Sequence, residues 1–262
     1  METLKKLTPA ETLLLRDRSK VLLKDMLKFT LIDLIVKKVL VVEEEQVQSH
    51  PNNPIRTLSY VEMGPRYKQY TFKKHELIYA NAFLGNEDVR IQFRHLIKMA
   101  FENAEGLKGL VFRRLIHSTS MIGILKNSWF NRLFVFIQLT SQGKKESQTI
   151  KQELSTLQKE LPAIIDSDPK KGKEMVEVLA GNIFLLEGFD FRLLDKIDEE
   201  ISEEMKRQKE TSGEAGCSGC FIYFDSYSSS FDSGASEASD SGGGCSGCSG
   251  CGGCGGCGGC GG

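Results

Sequence analysis

Thr8-Pro9-Ala10-Glu11-Thr12-Leu13-Leu14-Leu15 opens the first helix of the chain and sets the class of everything that follows. A threonine that can cap, a proline suited to the first helical position and a glutamate three residues after the threonine form a capping box. Ser19 offers a second cap, and residues 20–38 then place Val21, Leu22, Met26, Phe29, Ile32, Leu34 and Ile35 near one side. Lys20, Lys24, Asp25, Lys28 and Asp33 fall mostly on the other. The pattern changes at Val39-Leu40-Val41-Val42-Glu43-Glu44, which is β-prone. His50-Pro51-Asn52-Asn53-Pro54 signals a turn, and Ile55 to Met63 is a second β-prone run closed by Gly64-Pro65.

Helix, helix, strand, turn, strand is the layout of a winged helix, in which a helix beside the hairpin can enter a DNA groove. Direct readout needs Arg, Asn or Gln on an exposed helix face, whereas residues 20–38 are apolar with scattered lysines. The unit therefore reads first as a packing module, with a DNA-binding regulator as the rival. Farther on, Lys73 to Phe83 reads as a helix, and Leu84-Gly85-Asn86-Glu87-Asp88 as a turn. Val89, Phe93, Leu96, Ala100 and Phe101 recur at helical spacing, and Leu110 to Ser118 lead into Met121-Ile122-Gly123-Ile124-Leu125. This order loosely echoes residues 8–42 and suggests a degenerate second unit. Residues 145–161 predict a helix ending at Pro162, Asp168-Pro169 starts another, and Phe191 to Lys209 predict a charged, solvated one. The expected fold is mainly α: a helical body with one or two winged-helix-like units and small β-hairpins, followed by a disordered tail. The expected divisions are a winged-helix-like unit over 1–83, a helical domain over 84–210 and a Gly/Ser/Cys-rich tail over 211–262.

The chain carries 34 Lys and Arg against 35 Asp and Glu. Five of the acids (Glu214, Asp225, Asp232, Glu237, Asp240) lie in the tail, so residues 1–210 hold 34 bases and 30 acids, a net of about +4. That is too mild for a dedicated polyanion binder. Residues 1–210 are long enough for a real core and contain no cysteine, so no disulfide staples them. Met1-Glu2-Thr3-Leu4-Lys5-Lys6 lacks an apolar signal segment, which points to the cytoplasm and reduced thiols. Met121 to Leu139 is the nearest thing to a membrane span, but Lys126, Asn127, Asn131 and Arg132 interrupt it, so a core element is expected.

Catalytic signals are weak. The histidines His50, His75, His95 and His117 include no pair at HExxH spacing, and each reads as a surface or core-edge residue. Gly172-Lys173 is no phosphate loop, because Ser167 stands where the first glycine belongs and Glu174 where magnesium needs a hydroxyl. The acids at 43–45 and 198–204 read as solvated faces. No nucleophile of the body shows a base partner in the sequence, so no enzyme is expected.

The tail holds all eight cysteines: Cys217, Cys220, Cys245, Cys248, Cys251, Cys254, Cys257 and Cys260. Glycine and serine surround them, with no Lys, Arg or Pro from Thr211 onward. Such a segment has little apolar surface to bury and maximal backbone entropy to lose, so it should not fold by itself. Cys217-Ser-Gly-Cys220 resembles a redox dithiol but lacks the helix start that lowers a thiol pKa. Thiolates select zinc, copper(I) and iron–sulfur clusters, and glycine lets two-residue spacers curl until neighbouring sulfurs reach one ion. Tetrahedral sites of four thiolates would number at most two. The terminal run departs from the ferredoxin spacing and lacks the long spacer between CxxC pairs of zinc ribbons. Prenylation fails because Gly259 stands where the cysteine belongs. Acylation of clustered cysteines beside Phe221-Ile222-Tyr223-Phe224, and cyclisation of Cys and Ser to azoles, are the alternatives.

Leu7-Thr8-Pro9-Ala10-Glu11, the segment Leu31 to Leu40 and the terminal Cys251-Gly-Gly-Cys254-Gly-Gly-Cys257-Gly-Gly-Cys260-Gly-Gly together resemble uncharacterised bacterial families. Those families pair a small helical or winged-helix-like domain with a Gly/Cys-rich C-terminus, usually with transmembrane helices between, which this chain lacks. The resemblance implies no activity or catalytic residue. The expected function is non-enzymatic: a thiol-rich tail that takes a soft metal, zinc or copper(I), or a modifying enzyme, with nucleic acid as the less favoured partner.

Overall fold

The computed structural model describes residues 1–48, 50, 52–53, 55–85, 88–126, 137–187 and 230–236. It is mainly α, with one small antiparallel sheet. Helix α1 spans Pro9–Asp17 and α2 spans Leu23–Val36. The hairpin follows: β1 (Leu40–Val47) pairs with β2 (Arg56–Met63) from Leu40 opposite Met63 to Val47 opposite Arg56. The change from helical to alternating periodicity at Val39 thus marks a real boundary. Only the base of β1 is buried, at Leu40, while Glu43, Glu44, Glu45 and Gln46 are exposed, so the hairpin stands out from the body.

Helix α3 is a single turn, Leu77–Ala80, continued by a 3-10 turn to Phe83. It is shorter than the expected helix over 73–83 because residues 73–76 are a turn fixed by polar contacts. Strand β3 (Ile91–Gln92) pairs with β2 and runs straight into α4 (Phe93–Ala104). The sheet, and one contiguous apolar core, therefore cross from residues 1–83 into the part beyond. A left-handed pair, Glu105 (φ 53°) and Gly106 (φ 75°), ends α4. The chain then passes from α5 (Gly106–Gly109) through a π turn (Leu110–Arg114) into a 3-10 turn (Leu115–His117).

Helix α6 (Ser141–Ser167) runs through Pro162 and does not end there as the sequence predicts. Proline inside a helix costs about 3 kcal/mol. The apolar stripe Ile150, Leu154, Leu157, Leu161 and Ile165 continues across it, and each of those side chains is buried, which offsets the lost hydrogen bond. Asp168 caps α7 (Pro169–Leu179), accepting from the Lys171 N–H at 3.2 Å, as the Asp-Pro signal predicts. Gly172, the glycine of the rejected phosphate loop, is where α7 meets α6: a Cβ there would lie 2.9 Å from Ile165 Cγ1. A 3-10 turn (Ala180–Leu185) then brings Asn182 to the N-terminus of the chain. Its amide donates to the carbonyls of Leu7 (2.7 Å) and Leu4 (3.2 Å), and its oxygen accepts from the Thr12 hydroxyl at 2.8 Å.

Helix α2, the would-be recognition helix, buries Met26, Leu27, Thr30, Leu31, Ile32, Asp33 and Leu34, a span that leaves no broad face for a groove. Asp33, expected on the solvent side, is 2% exposed. It is held there by the Gly181 N–H at 2.8 Å and the Lys37 ammonium at 2.6 Å. Winged-helix packing finds no support in this arrangement. Among the described residues no helix is long and apolar enough to cross a membrane.

Candidate functional site

The eight cysteines expected to carry function, Cys217, Cys220, Cys245, Cys248, Cys251, Cys254, Cys257 and Cys260, lie outside the described residues. Among the described residues no three His, Cys, Asp or Glu side chains gather as a metal site. The helix expected over 191–209 also lies outside them. Two features that the sequence does not predict are within them: a buried polar cluster, and a piece of the tail seated on the body.

The cluster grows from the capping box. The Glu11 carboxylate accepts from the Thr8 backbone N–H at 2.8 Å, the reciprocal bond that the motif predicts. Glu11 is nevertheless wholly buried, and its carboxylate takes three further donors. Lys73 Nζ lies 2.7 Å from Oε2, Ser120 donates to Oε1 at 2.7 Å, and Ser118 donates to the same oxygen. Lys73 also reaches Ser120 Oγ at 3.2 Å and the Lys6 carbonyl at 3.3 Å. The Thr8 hydroxyl lies 2.9 Å from His75 Nε2, and His75 Nδ1 is buried with no hydrogen-bond partner. His75 is thus a core residue, 1% exposed, while His50, His95 and His117 are exposed as expected.

A second set adjoins the first through the 73–76 turn. Glu76 accepts from the Lys73 N–H at 2.7 Å and from the Tyr70 hydroxyl at 2.9 Å, and Lys37 donates to Tyr70 at 3.3 Å. A polar path therefore runs from Gly181 through Asp33, Lys37, Tyr70 and Glu76 to Lys73, Glu11 and the two serines.

Burial and charge set the protonation states. Burial pushes Glu11 upward, but the cationic form of His75, the Lys73 ammonium and the Ser118 hydroxyl together hold it below the ordinary carboxylate value. Burial pushes His75 down to about 4, against the pull of Glu11, so at neutral pH the ring is uncharged. Burial raises Glu76, with the Lys73 N–H and Lys37 opposing. Burial and the neighbouring Glu76 raise Tyr70.

Serine, lysine, glutamate and histidine so close together invite a catalytic interpretation. In the structure these groups are held by one another. Both hydroxyls already donate to an ionised carboxylate that also holds the ammonium, and the ring nitrogen nearest a hydroxyl faces Thr8 rather than either serine. The arrangement joins the start of α1, the 73–76 turn and the 118–120 turn, and it specifies which pieces of the body meet.

The seated segment is a helix over 230–236. Phe231, Gly234 and Ala235 recur at helical spacing and are buried. Phe231, 1% exposed, packs on Phe101 of α4 with ring centroids 6.2 Å apart. A Cβ on Gly234 would lie 3.0 Å from Ile97 Cδ1. Asp232 pairs with Lys24 at 2.9 Å and Lys28 at 3.6 Å, both on α2. Seven residues are too few for a stable isolated helix, so contact with the body makes this one. Burial of Phe231 is the main stabilising contribution to that contact, and the half-exposed ion pairs of Asp232 add at most about 1 kcal/mol. Comparison with models of known protein families, with curated proteins and with solved structures returned no match.

Proposed function

We propose that this protein is a non-enzymatic, thiol-based binder of a soft metal ion, in which the helical body serves as the holder of the cysteine-rich tail. The observation that carries the reading is the distribution of sulfur: eight cysteines between 217 and 260, none in the body, and two-residue spacers within each group. Thiolates at that spacing suit zinc or copper(I). The seating of 230–236 adds support. Cys217-x-x-Cys220 and Cys245-x-x-Cys248 stand on either side of it, separated from its ends by residues 221–229 and 237–244. Four thiolates, two from each pair, complete one tetrahedral site. Cys251, Cys254, Cys257 and Cys260 offer a second set.

DNA binding is the weaker reading, because the protruding hairpin presents Glu43, Glu44 and Glu45 to solvent and would repel phosphate. Acylation or azole formation on the same cysteines remains the competing use of the tail.

Titration of the reduced full chain with cobalt(II) as a zinc surrogate tests the proposal. Thiolate-to-cobalt charge-transfer bands should grow to one or two equivalents, and zinc should bleach them. Replacing Cys217, Cys220, Cys245 and Cys248 by serine should remove one equivalent. Spectra unaffected by replacing all eight cysteines would end the reading. Truncation at Thr211 is the wrong control, since it removes Phe231 from the core.

A further inference from the structure

We infer that the surface between α2 and α4 is a peptide-docking site for a short acidic helix, and that residues 230–236 of the same chain occupy it as a releasable latch. Three of the seven positions meet a matched partner of different chemistry. Phe231 meets an aromatic neighbour, Phe101, and is buried. Asp232 meets two ammonium groups, Lys24 at 2.9 Å and Lys28 at 3.6 Å. Gly234 meets Ile97 so closely that a Cβ would stand 3.0 Å from Cδ1 and 3.5 Å from Cβ, and Ala235 beside it is 2% exposed.

An aromatic, an acid and a small pair at i, i+1, i+3 and i+4 form a recognition pattern. A serine-glycine arm that merely collapsed onto an apolar patch would need none of those matches. The pattern also agrees with the charge of its surroundings, because residues 226–240 contain Asp232, Glu237 and Asp240 and no base. Asp25 on α2 is a like charge near Asp232; burial raises its pKa, Lys28 and Lys24 oppose that rise, and Asp232 adds to it. The same chain supplies the occupant because residues 188–229 give ample reach between the last helix of the body and the site. A seven-residue helix held by one buried aromatic ring and half-exposed ion pairs lies at the low-stability end of the fold, so the latch opens and closes rather than stays shut.

Hydrogen exchange of the full chain, reduced and in the presence of a chelator, tests this without any metal. In the wild type the amides of residues 97–104 should be protected, and Phe231→Ala should speed their exchange at least tenfold. Asp232→Lys, a half-exposed change outside the apolar core, should do so severalfold, and Lys24→Asp with Lys28→Asp should restore protection to that variant. A labelled peptide of residues 226–240 should bind the Phe231→Ala chain more tightly than the wild type, whose site is filled, and should lose affinity in high salt. Exchange at 97–104 unmoved by both tail variants would overturn the inference. So would a peptide that binds both chains equally, or protection that falls on dilution with loss of a dimer, which would make a second copy the occupant. Failure of the cobalt titration would leave this result untouched.

Discussion

Protonating His75 should cost the folded state most of the stability that the ring carries at neutral pH. The ring is buried, 1% exposed, and burial lowers its pKa from 6.5 to about 4. The unfolded chain thus takes up a proton that the folded chain refuses. Stability from this group is complete above pH 6.5 and is lost as pH falls from 6.5 to about 4. Between pH 7.5 and 4.5 the loss amounts to about 2.5 kcal/mol, at 1.36 kcal/mol per unit of pKa difference and allowing for incomplete titration at both ends. His75→Gln removes the titration while keeping a polar side chain beside Thr8. Urea unfolding of both proteins at intervals between pH 4.5 and 7.5 is the assay. The wild type should lose about 2.5 kcal/mol more than the variant over that range, even though the variant starts lower. Glu11 also loses stabilising contacts in acid and is coupled to the ring, so the difference between the two proteins reports the His75–Glu11 pair. Parallel curves for the two proteins would refute the buried, neutral histidine.

Lys73→Met leaves the Glu11 carboxylate buried without its cation and should destabilise by about 2–3 kcal/mol, less than for a fully buried pair because Lys73 is 30% exposed; adding Glu11→Gln should recover part of it in a double-mutant cycle read by thermal unfolding. Gly181→Ala drives a Cβ to 2.7 Å from the Asp33 side chain and 2.8 Å from Pro9 Cγ, so a loss of about 1–3 kcal/mol in chemical denaturation is expected. Pro162→Ala should stabilise α6 by up to about 3 kcal/mol, measured the same way, if the proline is tolerated only through the packing around it. Binding of the full chain to duplex DNA should stay weak at low salt, as fluorescence anisotropy would show.

Local signals were legible in the sequence, and long-range partnerships were not. The capping box at Thr8, the change of period at Val39, the turn around Asn52 and the Asp168-Pro169 start all depend on residues within a few positions of one another, and each appears in the fold. Glu11 shows where that legibility stops. Its cap partner is three residues away, but Lys73, Ser118 and Ser120 are 62, 107 and 109 residues away, and nothing in a local window joins them. Asp33 failed for the same reason, since its partner Gly181 is 148 residues distant. At Pro162 a tertiary apolar stripe overrides the local rule that proline ends a helix. Phe231, Gly234 and Ala235 did leave a signal, an i, i+3, i+4 pattern inside a serine-glycine arm, which the abundance of glycine and cysteine around it obscured.

Native and denaturing intact-mass measurement of the protein isolated from its own host bears most directly on the central claim, that the tail is used through its thiols toward a soft metal. The account predicts a native mass raised by one or two zinc or copper ions, lost on acidification, with all eight cysteines then open to alkylation. A covalent mass change mapping to residues 217–260, or a bare native mass that stays bare when zinc and copper(I) are supplied, would contradict it.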